Sequence, residues 1–294
     1  MTDPARFFHY DAAFDPTEVI RRHAASNVLP SPDHVTNYLG VRIDPRFLPD
    51  ILAGREGTIE PAPLPANWHA DIAEWGAALR AVDLATRSFT AIECGCGWGC
   101  WLSNTGVAAR RKGLEVMLLG IEADEQYVSF ANQSLLLNGF SPQHFSIRLG
   151  ISAGRAGTAL FPRLATGGTD WGRSPIFVFD ASSPDHTGFT GTHVPLPCVP
   201  LQDLPHGGRV DLLHVDIQGG ELTLLSESLD FLISHVAYIV IGTHSRSIEG
   251  RLWDLLSSNR FVLEIDRPAI HALTPAPVLR VDGVQAWRNT DLLP

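Results

Sequence analysis

A chain of 294 residues with 45% hydrophobic content has enough apolar material for a sizeable core, built as one large domain or as a domain with an extension. Its 22 Lys and Arg are scattered against 32 Asp and Glu, a formal net charge of −10, which argues against nucleic-acid backbones and anionic membranes and favours a small-molecule partner. The start, MTDPARFFHYDAAFDP, lacks the parts of a signal peptide, no apolar run approaches the ~20 residues of a membrane span, and four cysteines, three in one loop, suit a reducing cytoplasm better than a disulfide framework.

Residues 1–65 are rich in proline, and only DPTEVIRRHAAS reads as a helix, opened by Asp15 with Pro16 in its first turn. This part is expected to be a cap, or an arm through which copies could associate as a homo-oligomer. The remainder, 66–294, forms the main domain. It begins with WHADIAEWGAALRAVDLAT, whose Ile72, Trp75, Leu79, Val82 and Ala85 share a helical face, followed by FTAIEC as a short buried strand. After the loop CGCGWGC, a helix over WLSNTGVAARRKG ends at Gly113, EVMLLGIEA is a strand, and DEQYVSFANQSLLLNG is a helix capped by Asp124. HFSIRLGIS reads as one further strand. Residues 152–208 break the rhythm with many Gly, Pro, Ser and Thr, and their strand candidates TALFP, PIFVFD and HVPLPCVPL suggest a small β-rich insertion over a site. Then come RVDLLHVDIQ as strand, GGELTLLSESLDFL as helix, HVAYIVIGTH as strand and SIEGRLWDLLSSN as helix. The end, RFVLEID and VLRVDGVQAWRN, reads as two antiparallel edge strands broken by an Asp282-Gly283 turn. Strands alternating with helices predict an α/β fold, a mostly parallel sheet covered on both faces, with ligands beyond the strands' carboxyl ends.

Two acids stand at such ends. Glu93 precedes a glycine-rich turn, Gly95-Cys96-Gly97-Trp98-Gly99, where backbone can approach a ligand closely and a helix start offers free N–H groups. Glu122 closes the next strand, where a carboxylate can accept hydrogen bonds from both hydroxyls of an adenosine ribose. No G-x-x-x-x-G-K-[ST] is present, and the glycines at 95, 97 and 99 miss the G-x-G-x-x-G/A spacing of a nicotinamide site, because residue 100 is Cys. Cys94, Cys96 and Cys100 lack the spacing and partners of a zinc site, so they read as small side chains in a crowded turn. Trp98 either flanks a cofactor or packs under the insertion.

The motif E-x-G-x-G-x-G at 93–99, the acid Glu122 and the stretch VDLLHVDIQGGELTLL at 210–225 resemble class I S-adenosylmethionine-dependent methyltransferases, specifically the FkbM type. The family's late motif is similar to DLIKIDVEGAE, matched here by Asp211, Leu212, Asp216, Gly219 and Glu221. Its next strand ends in an acid, a variable residue and His, matched by His244. LGISAGRAGTALFP is similar to the segment after the family's third strand. Residues 89–266 carry the likeness, with four departures: His214 for Lys, Gln218 for Glu, Gly220 for Ala and Gly242 for the acid before His244.

The resemblance implies a three-layer Rossmann-like methyltransferase sheet with an antiparallel edge, S-adenosylmethionine as cofactor, and O-methylation of a hydroxyl on a small natural product or sugar. Glu93, Gly95 and Gly97, with Cys96 and Trp98 in the same loop, would hold the methionine part. Glu122 and Ala123 would meet the ribose, and the backbone at Ile151 and Ser152 the adenine. His244 is the expected base, with Asp216 orienting it or the substrate, although Asp216 also suits a helix cap. His214, two residues before Asp216, reads more readily as a core histidine. Asp216, Glu221 and His244, with Asp180, Asp185, His186 and His193 of the insertion, have the composition of a hard-cation site, but no metal is assigned from the sequence. A non-catalytic relative that keeps the cofactor pocket and a nicotinamide oxidoreductase are the competing readings.

Overall fold

The computed structural model describes residues 10–163, 172–178 and 191–294. In the first part β1 (Asp11–Ala12), α1 (Pro16–Arg22), the ribbon of β2 (Val35–Thr36) and β3 (Arg42–Ile43), and α2 (Pro49–Leu52) lead to α3 (Ile72–Leu84). Asp15 caps α1 by accepting from the Thr17 and Glu18 N–H groups, and Pro16 takes the position where a missing N–H costs nothing. The helix then lies so close to α3 that a Cβ on Gly76 would stand 2.5 Å from that of Pro16. The expected cap is therefore packed into the main body: Val19, Ile20, Leu39, Phe47 and Leu52 belong to the same apolar cluster as Trp75 and Leu79 of α3. Buried Asn37 reinforces the seam by donating to Asn104, 2.6 Å away.

The central elements follow in alternation: β4 (Ser88–Cys94), α4 (Cys100–Arg111), β5 (Glu115–Glu122), α5 (Glu125–Leu137) and β6 (Phe145–Leu149). Next come the insertion strands β7 (Ile151–Ala153), β8 (Gly157–Pro162), β9 (Ile176–Val178) and β10 (His193–Pro200). The main sheet resumes with β11 (Leu212–Val215), α6 (Glu221–Glu227), α7 (Leu229–His235), β12 (Tyr238–Thr243), α8 (Arg246–Ser257) and β13 (Phe261–Arg267). The hairpin of β14 (Ile270–Ala272) and β15 (Val278–Val281) precedes β16 (Gly283–Asn289).

Eight strands form the main sheet in the order β1-β13-β16-β12-β11-β4-β5-β6. The five from β12 to β6 are mutually parallel, whereas β16 runs antiparallel to both its neighbours. Period-two alternation sorts the side chains into two layers. Phe89, Ala91, Leu212, Tyr238 and Val240 face the cluster under α3 and α4, while Ile92, Cys94, Leu213, Val215, Ile239 and Ile241 face the one under α6–α8. The result is the α/β three-layer sheet with an antiparallel edge region that the sequence predicts.

Three local expectations need correction. HFSIRLGIS is two strands, because the chain leaves the main sheet at Gly150 and continues as β7 in the insertion's own sheet, β7-β10-β8-β9. Only a glycine fits there, since a Cβ would come within 2.7 Å of the Pro197 carbonyl oxygen on β10. GGELTLLSESLDFL is two short helices meeting at Ser228. Finally, β16 is not an edge strand: it inserts between β13 and β12, pairing Thr243 with Gly283 and Gly242 with Val284.

Candidate active site

A cavity of about 880 Å³ opens at the carboxyl ends of β4, β5, β11 and β12. Every residue predicted to hold the cofactor, from Glu93 through Gly95, Cys96, Gly97 and Trp98 to Glu122, Ala123, Ile151 and Ser152, lines it.

The glycine loop earns its composition from a contact. Gly95 has φ +71°, and a Cβ there would overlap the Asp216 carbonyl oxygen, so this residue lets the β4 and β11 ends approach each other. Beyond the turn, Glu93 accepts from the N–H groups of Trp101 at 3.3 Å and Leu102 at 3.0 Å, satisfying first-turn donors of α4. The residue is only 3% exposed, and burial pushes its pKa up to about 7 against the pull of His214 and these two hydrogen bonds. Glu122 is engaged even more fully. One oxygen accepts from Gly97 N–H at 2.8 Å, the other from Ala123 at 2.8 Å and Asp124 at 2.9 Å. Burial nevertheless raises its pKa. The carboxylate is thus fixed in place at the wall, with lone pairs still available to a diol.

All four cysteines are buried free thiols. Burial pushes Cys94 up to about 12 and raises Cys96 and Cys100 well above the ordinary range, so none is a ready thiolate. Trp98 lines the cavity and stacks on Phe47 of the N-terminal segment, 5.9 Å between ring centres, with Trp68 also beside it. His214 is a core histidine, 2.9 Å from Glu74 Oε1 and stacked on Trp101, although one edge reaches the cavity.

The opposite wall is formed by the end of β11. After Val215 the chain turns through Gln218, which has φ +58°, and Gly219 into α6. Asp216 lines the cavity, and its desolvation there pushes the carboxyl up to about 6. His244, from the end of β12, stands behind Asp216 and is not part of the cavity lining, so the expected base does not face the acceptor space directly. Its Nδ1 lies 2.8 Å from Glu221 Oε1, and its Nε2 is 3.3 Å from Asp216 Oδ1 and 4.0 Å from Asp282 Oδ1. Burial pulls this imidazole's pKa down, but the Glu221 hydrogen bond and the surrounding carboxylates outweigh it and hold it at about 9.

Sequence reasoning missed several wall residues. Asp282 read as a turn, yet the antiparallel register that pairs Gly283 with Thr243 brings it beside His244 and into the cavity lining. Trp68 and His69, in the segment before α3, fold beside the glycine loop, His69 lying 5.4 Å from Trp101 and 6.1 Å from Trp98 between ring centres. Neither His69 ring nitrogen has a hydrogen-bond partner, and burial lowers its pKa to about 4, leaving a neutral polar group on the wall. The insertion adds Arg173, paired with Asp124 at 2.9 Å. His193 lies on β10 and does not line the cavity; Asp180, Asp185 and His186 fall outside the described residues.

Residues 85–266 match the model of the methyltransferase FkbM domain. The chain belongs to the FkbM methyltransferase family. Over 271 residues it is 46% identical to a protein of Jannaschia sp. (strain CCS1) named "Putative methyltransferase", covering 92% of this chain and 97% of that one. Among solved structures, methyltransferase FkbM from Methylobacillus flagellatus KT shares 14% identity with a TM-score of 0.44, over 74% of this chain and 54% of that one. The C-terminal domain of precorrin-6Y C5,15-methyltransferase from Rhodobacter capsulatus shares 13% identity with a TM-score of 0.40, over 76% and 90%.

Proposed function

We propose that this FkbM methyltransferase uses S-adenosylmethionine to methylate a hydroxyl oxygen of a small polar molecule, a natural product or sugar. The observation that carries the reading is one cavity that joins two unlike walls: the glycine loop with Glu93 and Glu122, and the acidic end of β11 with Asp216 and Asp282. On the first wall Glu122 would take the ribose hydroxyls, Glu93 and the loop backbone the methionine part, and the Gly150–Ser152 backbone the adenine. The sulfonium supplies an activated methyl, so the chain's own work is to hold an acceptor oxygen in line with the S–C bond and keep water out.

A neutral hydroxyl is a poor nucleophile, and its proton has to be drawn off as the O–C bond forms. Asp216 and Asp282 are the negative groups on the acceptor side, with His244 acting from behind Asp216, and neutral His69 offers a hydrogen bond to a polar acceptor. An acidic wall repels phosphate backbones, which favours a small acceptor over a nucleic acid. Among the described residues no helix is long and apolar enough to cross a membrane, and four unpaired cysteines suit a reducing cytoplasm.

The test is calorimetric titration of S-adenosylmethionine and S-adenosylhomocysteine into wild type and Glu122→Ala. Binding by the wild type and its loss in the variant are expected, and a wild type that binds neither overturns the reading. With binding established, mass spectrometry of a panel of sugars and hydroxylated metabolites identifies the acceptor by the gain of one methyl.

A further inference from the structure

We propose that Asp216, His244 and Asp282 form a divalent-cation site at the acceptor end of the cavity, with Glu221 as the carboxylate that orients His244. Asp216, Glu221 and His244 each bring a ligating atom within 4.8 Å of the others'. Glu221 is fully buried, and its Oε1 receives both the Gly219 N–H at 2.9 Å and His244 Nδ1 at 2.8 Å. That contact uses Nδ1 as a donor to Glu221 and leaves Nε2 as the ring atom that can take a cation in exchange for its proton.

Nε2 is what points to a ligand. The His244 side chain is only 10% exposed, yet Nε2 has no hydrogen-bond partner. Asp216 Oδ1, 3.3 Å away, lies outside hydrogen-bonding geometry, and Asp282 Oδ1 is 4.0 Å away. A simple histidine–carboxylate ion pair would close that gap with a short N–H···O bond. Around an ion bound at about 2.1 Å, adjacent octahedral ligands sit about 3 Å apart and opposite ones about 4 Å, so each carboxylate lies at a distance from Nε2 that a bridging cation would span. One imidazole nitrogen with two carboxylate oxygens is a donor set for Mn²⁺ and its neighbours in hardness.

The sheet explains how the third ligand arrives. Gly242 has no side chain to offer, and a Cβ there would stand 3.2 Å from Asp216 Cγ, whereas Asp282 enters from the start of β16, next to Gly283, which pairs with Thr243. Asp216 and Asp282 line the cavity, so the ion's remaining positions face the acceptor space. The catalytic role of the site rests on the methyltransferase reading. An acceptor hydroxyl bound to the ion becomes more acidic and releases its proton to solvent. Its oxygen then forms the O–C bond as the C–S bond breaks, the electron pair staying on sulfur.

The experiment titrates Mn²⁺ alone into chelator-treated full-length protein, followed by electron paramagnetic resonance, with S-adenosylhomocysteine binding measured on the same samples. One Mn²⁺ per chain is expected, weakened at least about tenfold in Asp216→Asn, His244→Gln and Glu221→Gln. Should buried Glu221→Gln fail to fold, Asp282→Asn, whose side chain is 54% exposed, provides the alternative variant. No stoichiometric Mn²⁺ in a wild type that binds S-adenosylhomocysteine, or binding unchanged by these substitutions, overturns the metal site and leaves the methyltransferase reading standing. Site-dependent Mn²⁺ binding without S-adenosylhomocysteine binding supports the metal site and overturns that reading instead.

Discussion

Glu122 closes β5, Asp216 follows β11, and both line the same cavity, yet their surroundings differ in kind. Glu122 has both oxygens held by backbone N–H groups from Gly97, Ala123 and Asp124, and Glu93 is likewise committed to the start of α4. Around Asp216, by contrast, carboxylates crowd an imidazole whose Nε2 has no partner, and Glu221 Oε2 is also unmatched. The carboxylates of the glycine-loop wall are satisfied by the chain's own backbone, and the unmatched atoms there are the uncharged ones of His69 and Ser152. The Asp216 wall keeps buried polar atoms unsatisfied, which is costly for folding and is where a protein reserves room for chemistry.

The substitution that should strike hardest joins the two walls. Gly95→Ala forces a side chain into a left-handed turn and into the Asp216 carbonyl, and is expected to lower stability by about 3 kcal/mol or more and to abolish cofactor binding, as read by calorimetry. Near-normal binding would mean that the loop is looser than its contacts imply. Next, Glu122→Gln replaces an acceptor-only group by one that presents N–H toward backbone N–H donors. Its S-adenosylhomocysteine affinity should fall about 10- to 100-fold, as for loss of hydrogen bonds to a charged group. Asp282→Asn, on the other wall, should leave that affinity within about threefold, because its carboxylate takes no part in holding the loop. Equal losses in the two variants would erase the distinction between the walls.

A pH profile sharpens it further. Glu93 in the folded chain titrates near 7, above the ordinary 4.5, so the folded state holds this proton more tightly than the unfolded chain does. The resulting stability is full below about pH 4.5 and is lost as pH rises through about 7, a contribution on the order of 3 kcal/mol. Thermal unfolding between pH 5 and 8 should therefore fall more steeply in wild type than in Glu93→Gln. Smallest of all is the cysteine effect. Cys96→Ala should shift cofactor affinity by less than about twofold, and a thiol reagent at pH 8 should label the native chain slowly and the denatured chain fully.

How much of this the sequence disclosed follows from how local each feature is. Glu93, the glycine loop and Glu122 lie within two consecutive strand–loop–helix units, so chain order alone brings them to one end of the sheet, and all of them line the cavity. Asp282 depends instead on β16 slipping between β13 and β12, a pairing that no local pattern encodes. The split of HFSIRLGIS depends on the distant Pro197, and the turning of His244 away from the wall depends on Glu221, a partner from another strand–helix unit. Trp68 and His69 escaped notice for a related reason. The face of α3 is legible from periodicity, but the path of the segment before it is set by packing against Trp98 and Trp101.

The two residues of β1 pair antiparallel with Ile265 and Asp266 and occupy the outer edge of the main sheet. Removing them would uncover the backbone N–H and C=O groups of β13, beside a surface where Val262 is already 45% exposed. An open strand of that kind is a template for another chain. A short N-terminal trim that touches no cavity residue should thus reveal itself first as self-association, turning the first strand into a guard of solubility.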